Sequence, residues 1–229
     1  MTKCLLCQES MPSLFSIEDF VAFKPIKEPS LCSSCWQAFD WIKGKTCQQC
    51  GRSMDIQTDN YCKDCLKWQA QGWHFHNHAL MHYDDAFKAW LHQFKRLGDV
   101  RLAPSFYQVL QDFHKTQAGA IWLPLPSSEA NYRKRGFHQT ECILEAVGIP
   151  YAQAFLPSQA KGAKQALKGR QARLQADRGI QLVPDFSYAK DQSFILFDDV
   201  YTTGATMYAC YQALKQAGYQ NLSGFSLAR

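Results

Sequence analysis

Eight cysteines arranged as four C-x-x-C pairs constrain the fold more than any other feature of the chain. The pairs are Cys4/Cys7, Cys32/Cys35, Cys47/Cys50 and Cys62/Cys65, all ahead of Lys67. Two residues between cysteines let the backbone turn in a tight knuckle that aims both sulfurs at one ion. Two knuckles complete a tetrahedral shell with Zn–S near ~2.3 Å. Gly51, directly after Cys50, suits a knuckle because it tolerates a positive φ. A segment this short builds little core, so metal binding would supply much of its folding energy. The expectation is two closed, structural zinc sites in sequential order, Cys4, Cys7, Cys32, Cys35 and then Cys47, Cys50, Cys62, Cys65. An interleaved pairing of the knuckles is the alternative arrangement, and iron in a rubredoxin-like shell the alternative metal. Redox chemistry fits less well, since four copies of C-x-x-C lack a thioredoxin-like context. Between Cys7 and Cys32, Pro25 and Pro29 point to an irregular or short-stranded insert.

The other two cysteines, Cys142 and Cys210, are isolated on predicted helices and read as buried thiols. The chain therefore divides into a cysteine module over 1–70 and a larger domain over 74–229, with a boundary near Gln69 to Trp73. With 229 residues, 46% of them hydrophobic, a real core forms and wholesale disorder is excluded. Met1 to Pro12 holds one Lys and no long apolar stretch, and no apolar run approaches the ~20 residues of a membrane helix. A cytoplasmic protein is expected, where many cysteines imply metal rather than disulfides. Each tetrathiolate zinc would carry about −2, so the formal net charge of +5 falls to about +1. The basic character is local. From Arg133 to Arg178, nine Lys/Arg face three acids, Glu141, Glu145 and Asp177.

Near the other end, Phe194-Ile-Leu-Phe197 is apolar without alternation, as in a strand buried on both faces of a parallel sheet. Asp198-Asp199, the loop Thr202-Thr203-Gly204-Ala205-Thr206 and a helical pattern from Tyr208 to Ala217 follow, closed by Gly218. Ligands of parallel sheets sit outside the carboxyl ends of strands, and a loop entering a helix there offers N–H groups to an anion. The threonines add hydroxyls, and Gly204 lets the backbone approach closely, so a valine there would crowd the cradle with modest effect on folding. Two carboxylates would repel phosphate, but they suit vicinal hydroxyls. A phosphate cradle beside a diol clamp reads as ribose-5-phosphate recognition. The competing explanation is an acidic helix cap followed by a generic turn.

FILFDDVYTTGATM resembles the 5-phosphoribosyl diphosphate (PRPP) motif of type I phosphoribosyltransferases. The C-x-x-C pairs, FKRLGDVRLA from Phe94 and LPLPSSEANYRKRGFHQ from Leu123 extend the resemblance over nearly all the chain. The whole is similar to the ComF family of late-competence proteins. The resemblance implies an α/β fold: a type I phosphoribosyltransferase-like parallel sheet flanked by helices, preceded by a double zinc ribbon. It also implies PRPP binding by Asp198, Asp199, Thr202, Thr203, Gly204, Ala205 and Thr206, with Mg²⁺ bridging diphosphate and ribose oxygens.

Ala120 to Pro124 reads as a second buried strand, followed by a basic loop with Arg133, Lys134 and Arg135, then a helix to about Val147. In the family this is the diphosphate-side loop, so Arg133 and Arg135 are the anion candidates. A solvated basic loop is the plainer explanation, and His138 stands where family members commonly have Asn. Lys161 to Arg178 reads either as a flap over bound diphosphate, with Lys164, Gln165 and Arg173 in contact, or as an exposed amphipathic helix. Phe87, Leu91 and Phe94, like Phe106, Val109, Leu110 and Phe113, have the spacing of core stripes. His74, His76, His78, His82 and His92 are not needed as ligands once eight cysteines fill two shells. No Ser-His-Asp triad, Walker loop or dinucleotide fingerprint is present.

Two functions are expected. The family implies handling of incoming single-stranded DNA in natural transformation, beside a ComF helicase-like ATPase, with PRPP as bound ligand. The basic stretch, with Tyr132, Phe137 and Tyr151 near it, suits a strand's backbone and bases. The alternative is an active phosphoribosyltransferase in which Asp198 and Asp199 act catalytically on an unknown acceptor. A purely adaptor domain is the third, minor option.

Overall fold

A computed structural model describes residues 2–12, 29–55, 59–70, 72–157 and 180–229. Four strands form a parallel sheet: β3 (His76–Met81), β4 (Ile121–Pro124), β5 (Phe194–Val200) and β6 (Leu222–Ala228). Their spatial order is β3–β6–β5–β4, and every neighbouring pair is parallel. This is the expected α/β arrangement. β5 lies inside the sheet, so Phe194 to Phe197 are all buried, which explains their lack of alternation. The strand runs further than its apolar run, through Asp198 and Asp199 to Val200. β6 supplies ladder partners that far, with Asp198 opposite Ser226 and Val200 opposite Ala228.

Each face of the sheet is covered by helices and by one half of the cysteine module. A short antiparallel pair, β1 (Thr2–Lys3) with β2 (Ser10–Met11), opens that module. Among the described residues its helices, α1 (Ser33–Gln37) and α2 (Lys63–Gln69), start at Cys32 and Cys62. Ile195 and Phe197 face α3 (Asp85–Lys95), a 3-10 turn (Val100–Phe106), α4 (Tyr107–Thr116) and α6 (Gln139–Val147). Cys4, Met11, Leu31 and Phe39 join that cluster. Phe194 and Leu196 face Met207, Cys210 and Leu214 of α7 (Ala205–Gln216), together with Cys47, Cys50, Cys62, Cys65 and Trp68. Between its halves the module wraps the outer edge of β3, where Trp41 bridges Met81 and the Ile42 N–H donates to Leu80 O at 2.9 Å. Wrapping covers an edge that would otherwise invite pairing with another chain.

The core stripes behave as their spacing predicts. Asp84 caps α3 by accepting from the Phe87 N–H at 2.7 Å, and Phe87, Trp90 and Phe94 are fully buried. Cys210 is buried on α7, while Cys142 is half-buried on α6. The basic loop is a correction: Arg133, Lys134 and Arg135 lie in a helix, α5 (Glu129–Arg135). Ser128 caps it, Glu129 sits in its first turn and the three cations in its last. Gly136 ends it at φ 81°. Among the described residues, no helix is long and apolar enough to cross a membrane.

Gly51 has the expected left-handed backbone, φ 74°, and a second reason to be glycine. A Cβ there would lie 2.8 Å from Asn77 O and 2.9 Å from Ala79 N of β3. Gly51→Ala is therefore expected to cost about 2–4 kcal/mol, from strain and overpacking together. A lower thermal midpoint with zinc lost from the nearby cysteine cluster is the readout.

Candidate functional site

The eight cysteines of the four pairs gather into two clusters. Cys4, Cys7, Cys32 and Cys35 form one, and Cys47, Cys50, Cys62 and Cys65 the other, with all ligand atoms of a set within 4.8 Å of one another. The pairing is sequential, which rules out the interleaved alternative. Sulfur separations of 3.6 Å (Cys7 to Cys32) and 3.8 Å (Cys50 to Cys62) match the ~3.8 Å edge of a tetrahedron with zinc bonds near ~2.3 Å. Backbone N–H groups point at the sulfurs, from Cys32 to Cys4 at 3.3 Å and from Cys62 to Cys47 at 3.3 Å. These donors stabilise thiolates. The residues present thus fit two structural zinc ions. Among the described residues, no histidine joins a possible metal cluster.

The clusters differ in burial. All four cysteines of the second are buried, but in the first only Cys4 is, and Cys7 is exposed. A chelator is therefore expected to remove zinc in two kinetic phases, the first-cluster ion leaving first. Single-phase release of both ions, followed with a colorimetric zinc indicator, would contradict this.

At the carboxyl end of β5, the chain turns through Thr202 and Thr203 into α7. Asp198, Val200 and the run from Tyr201 to Met207 line a concavity of about 90 Å³. Thr202 is exposed, and Thr203 and Thr206 are half-buried. The Thr203 hydroxyl accepts from the Ala205 N–H at 3.4 Å, at the positive end of the helix. Gly204 has φ 77°, but its bare Cα faces the protein rather than the cradle. A Cβ there would lie 2.5 Å from Tyr201 Cζ and 3.0 Å from Trp73 Cη2. The expectation of a modest folding effect for Gly204→Val is corrected: Tyr201 is buried and cannot yield, so the substitution strikes the fold as well as the loop.

The two acids have different surroundings. Asp198 lines the concavity, and its Oδ1 accepts from the Asp199 N–H at 2.9 Å. Burial, with the neighbouring Asp199 charge second, pushes its carboxyl up to about 8. Asp199 is 4% exposed and ion-paired with Lys95 from the end of α3. Arg135 is half-buried. Burial lowers its pKa, while Asp199 opposes that and Arg96 adds to it. Lys95 and Arg135 thus both act on Asp199, and Arg96 lies near enough to repel Arg135. Arg133 is exposed and pairs with Glu129 at 2.5 Å instead.

His138 accepts or donates at 2.9 Å to the Ser127 hydroxyl and stacks on Tyr132 at 4.4 Å. His138 and Ser127 flank a smaller cleft, about 60 Å³, with Glu141, Gln153 and Phe155. Burial raises the Glu141 pKa. Lys164, Gln165 and Arg173 of the candidate flap lie outside the described residues. Sequence reasoning passed over Lys95, although it lies within the FKRLGDVRLA match.

A family model described as "Double zinc ribbon domain" matches residues 2–66. Over 227 residues the chain is 28% identical to "Competence protein ComFC" of Streptococcus pneumoniae (strain ATCC BAA-255 / R6), covering 99% of this chain and 100% of that protein. It is 27% identical over 237 residues to "Competence protein ComFC" of Bacillus subtilis (strain 168), covering 99% of this chain and 94% of that protein. The ribbon and the two full-length likenesses support the ComF-family resemblance read from the sequence.

Proposed function

We propose that this chain, ComF-like over nearly its whole length, serves in natural transformation and handles incoming single-stranded DNA, with PRPP or a related ribose phosphate as the ligand of its α/β domain. The observation that carries the ligand reading is the single concavity shared by Asp198 and the Thr202–Met207 run at the end of a parallel strand. In this reading Thr202, Thr203, Gly204, Ala205 and Thr206 hold the 5-phosphate. Asp198 accepts from the ribose hydroxyls, with Asp199 beside it. Mg²⁺ bound with the ligand beside Asp198 would neutralise diphosphate charge. Arg135 and Arg133 stand on the diphosphate side, Arg135 closer to the acids. The names of the two relatives support the competence role. The cytoplasm is the proposed compartment and a helicase-like ATPase the proposed protein partner, with a zinc ribbon as docking surface.

The second reading is a working phosphoribosyltransferase with an unidentified acceptor. Its support is the Asp198 carboxyl on the concavity, which in this reading would face the positive charge that grows at C1 as diphosphate leaves, with Asp199 held behind it by Lys95. The two readings separate on turnover. PRPP, Mg²⁺ and a broad panel of acceptors should release no diphosphate under the first reading. Binding of short single-stranded DNA should then persist in Asp198→Asn, with a salt slope that falls when Arg133 or Lys134 is neutralised. Diphosphate release that depends on Asp198 would favour the enzyme.

A further inference from the structure

The ribose-phosphate site makes no use of the cleft beside α6, yet backbone bonds hold the walls of that cleft in place. The Ala152 N–H donates to Trp122 O at 2.9 Å and Tyr151 bridges Trp122, so the chain after α6 runs along the outer side of β4. Further on, the Val183 N–H donates to Ala154 O and the Leu156 N–H to Gln181 O, each at 2.9 Å. The Thr140 hydroxyl donates to Leu125 O at 3.1 Å and fastens the start of α6 to the end of β4. The Leu125 N–H donates to Phe197 O at 2.9 Å. The cleft and the Asp198 concavity therefore lie at the carboxyl ends of neighbouring strands.

The polar groups of the cleft are mostly acceptors. Gln153 Nε2 donates to Glu141 Oε2 at 3.1 Å, which sets a carboxyl group and a carboxamide side by side. That bond leaves the other carboxyl oxygen and Gln153 Oε1 to accept from a ligand. The Ser127 hydroxyl and His138 Nδ1 occupy one another at 2.9 Å, and the Tyr132 ring stacked on the imidazole fixes its plane. Glu141 makes the cleft a poor place for phosphate, whose charge it would repel. A wholly apolar ligand would leave the same acceptors without partners. Pro126 and Phe155 supply flat apolar walls. A volume of about 60 Å³ is room for several waters, and so for the edge of one planar ring.

We propose that this cleft receives a nucleobase that carries an exocyclic amine, cytosine being the one-ring case. The amine donates to the free Glu141 oxygen and to Gln153 Oε1, while the ring lies against Pro126 and Phe155. Carboxylates accept from the cytosine amine in the same way when proteins read base edges. Uracil presents a carbonyl where cytosine has the amine, so it meets acceptors with an acceptor and is rejected. The base arrives either within a DNA strand or as a free molecule, and the chemistry is shared. The inference stands on the cleft and does not require PRPP binding.

The test uses the zinc-loaded full chain with PRPP and Mg²⁺ left out of every arm. Fluorescence anisotropy at fixed salt compares short oligo-dC with oligo-dU, and calorimetry compares free cytosine with uracil. The variants are Glu141→Gln and Gln153→Ala. The expected result is oligo-dC bound about tenfold more tightly than oligo-dU. Glu141→Gln should remove that preference without weakening oligo-dU, and Gln153→Ala should reduce it by about threefold. If Glu141→Gln does not fold, Gln153→Ala carries the test, because its side chain is exposed. A cytosine preference seen only with the free bases, and lost in the same variants, keeps the cleft and makes its ligand a free molecule. Equal binding of cytosine and uracil by the unaltered chain in both formats overturns the proposal. A preference that survives at full strength in the variants places the selective contact elsewhere and overturns it too.

Discussion

Cys65→Ser is expected to leave one zinc ion per chain and to unmake one face of the protein. Cys65 is fully buried, and its cluster belongs to the same apolar core as Phe194, Leu196, Met207 and Leu214. Structural zinc contributes about 10–16 kcal/mol of apparent binding energy in small ribbons, comparable with the whole stability of an ordinary domain. Losing even a third of that would lower the thermal midpoint by roughly 10–20 °C in a chain of this size. The matching change in the first cluster, Cys7→Ser, alters an exposed ligand and should cost less. Native mass spectrometry and scanning calorimetry on both variants check the ranking. Two zinc ions retained in Cys65→Ser, or disulfides in place of metal in the unaltered chain, would contradict it.

Asp198→Asn is expected to weaken binding of Mg²⁺–PRPP by about 100-fold and to remove its pH dependence. A charged acceptor facing hydroxyls and a metal contributes about 2–3 kcal/mol in a partly buried site. The sign of the pH effect follows from the raised carboxyl. In the free protein Asp198 is protonated below about 8. The ligand's hydroxyls and its Mg²⁺ prefer the carboxylate, so binding expels a proton. Affinity should therefore rise with pH, by up to about tenfold per unit, and level off above the carboxyl's own value. Asparagine has no proton to lose, so that contribution should vanish. Calorimetry between about pH 6 and about pH 9 reads both effects. A falling affinity over that interval would oppose the assignment.

The parts legible in the sequence were those encoded locally. A C-x-x-C knuckle is closed by its own few residues, so Cys4 to Cys65 announce both clusters without any knowledge of the fold. The run from Phe194 to Gly218 is likewise one strand, one loop and one helix in order. What escaped depends on partners distant in sequence. β5 extends through the acids because β6 lies alongside it. Asp198 and Asp199 look equivalent as neighbours, yet successive residues of a strand face opposite ways. Asp199 therefore meets Lys95 of α3, while Asp198 lines the concavity. Three adjacent cations suggested a loop, but the Ser128 cap and the Gly136 stop make Glu129 to Arg135 helical. Gly204 was legible as a glycine position, but not that Tyr201 and Trp73 lie beneath it.

The central claim is that the concavity beside Asp198 receives a phosphorylated ribose. Calorimetric titration of the zinc-loaded chain with PRPP and Mg²⁺ tests it most directly. The prediction is saturable binding of one ligand per chain, weakened when Mg²⁺ is withheld and largely lost in Asp198→Asn. Absence of heat with the unaltered chain, or equal binding by the Asp198→Asn variant, would contradict it.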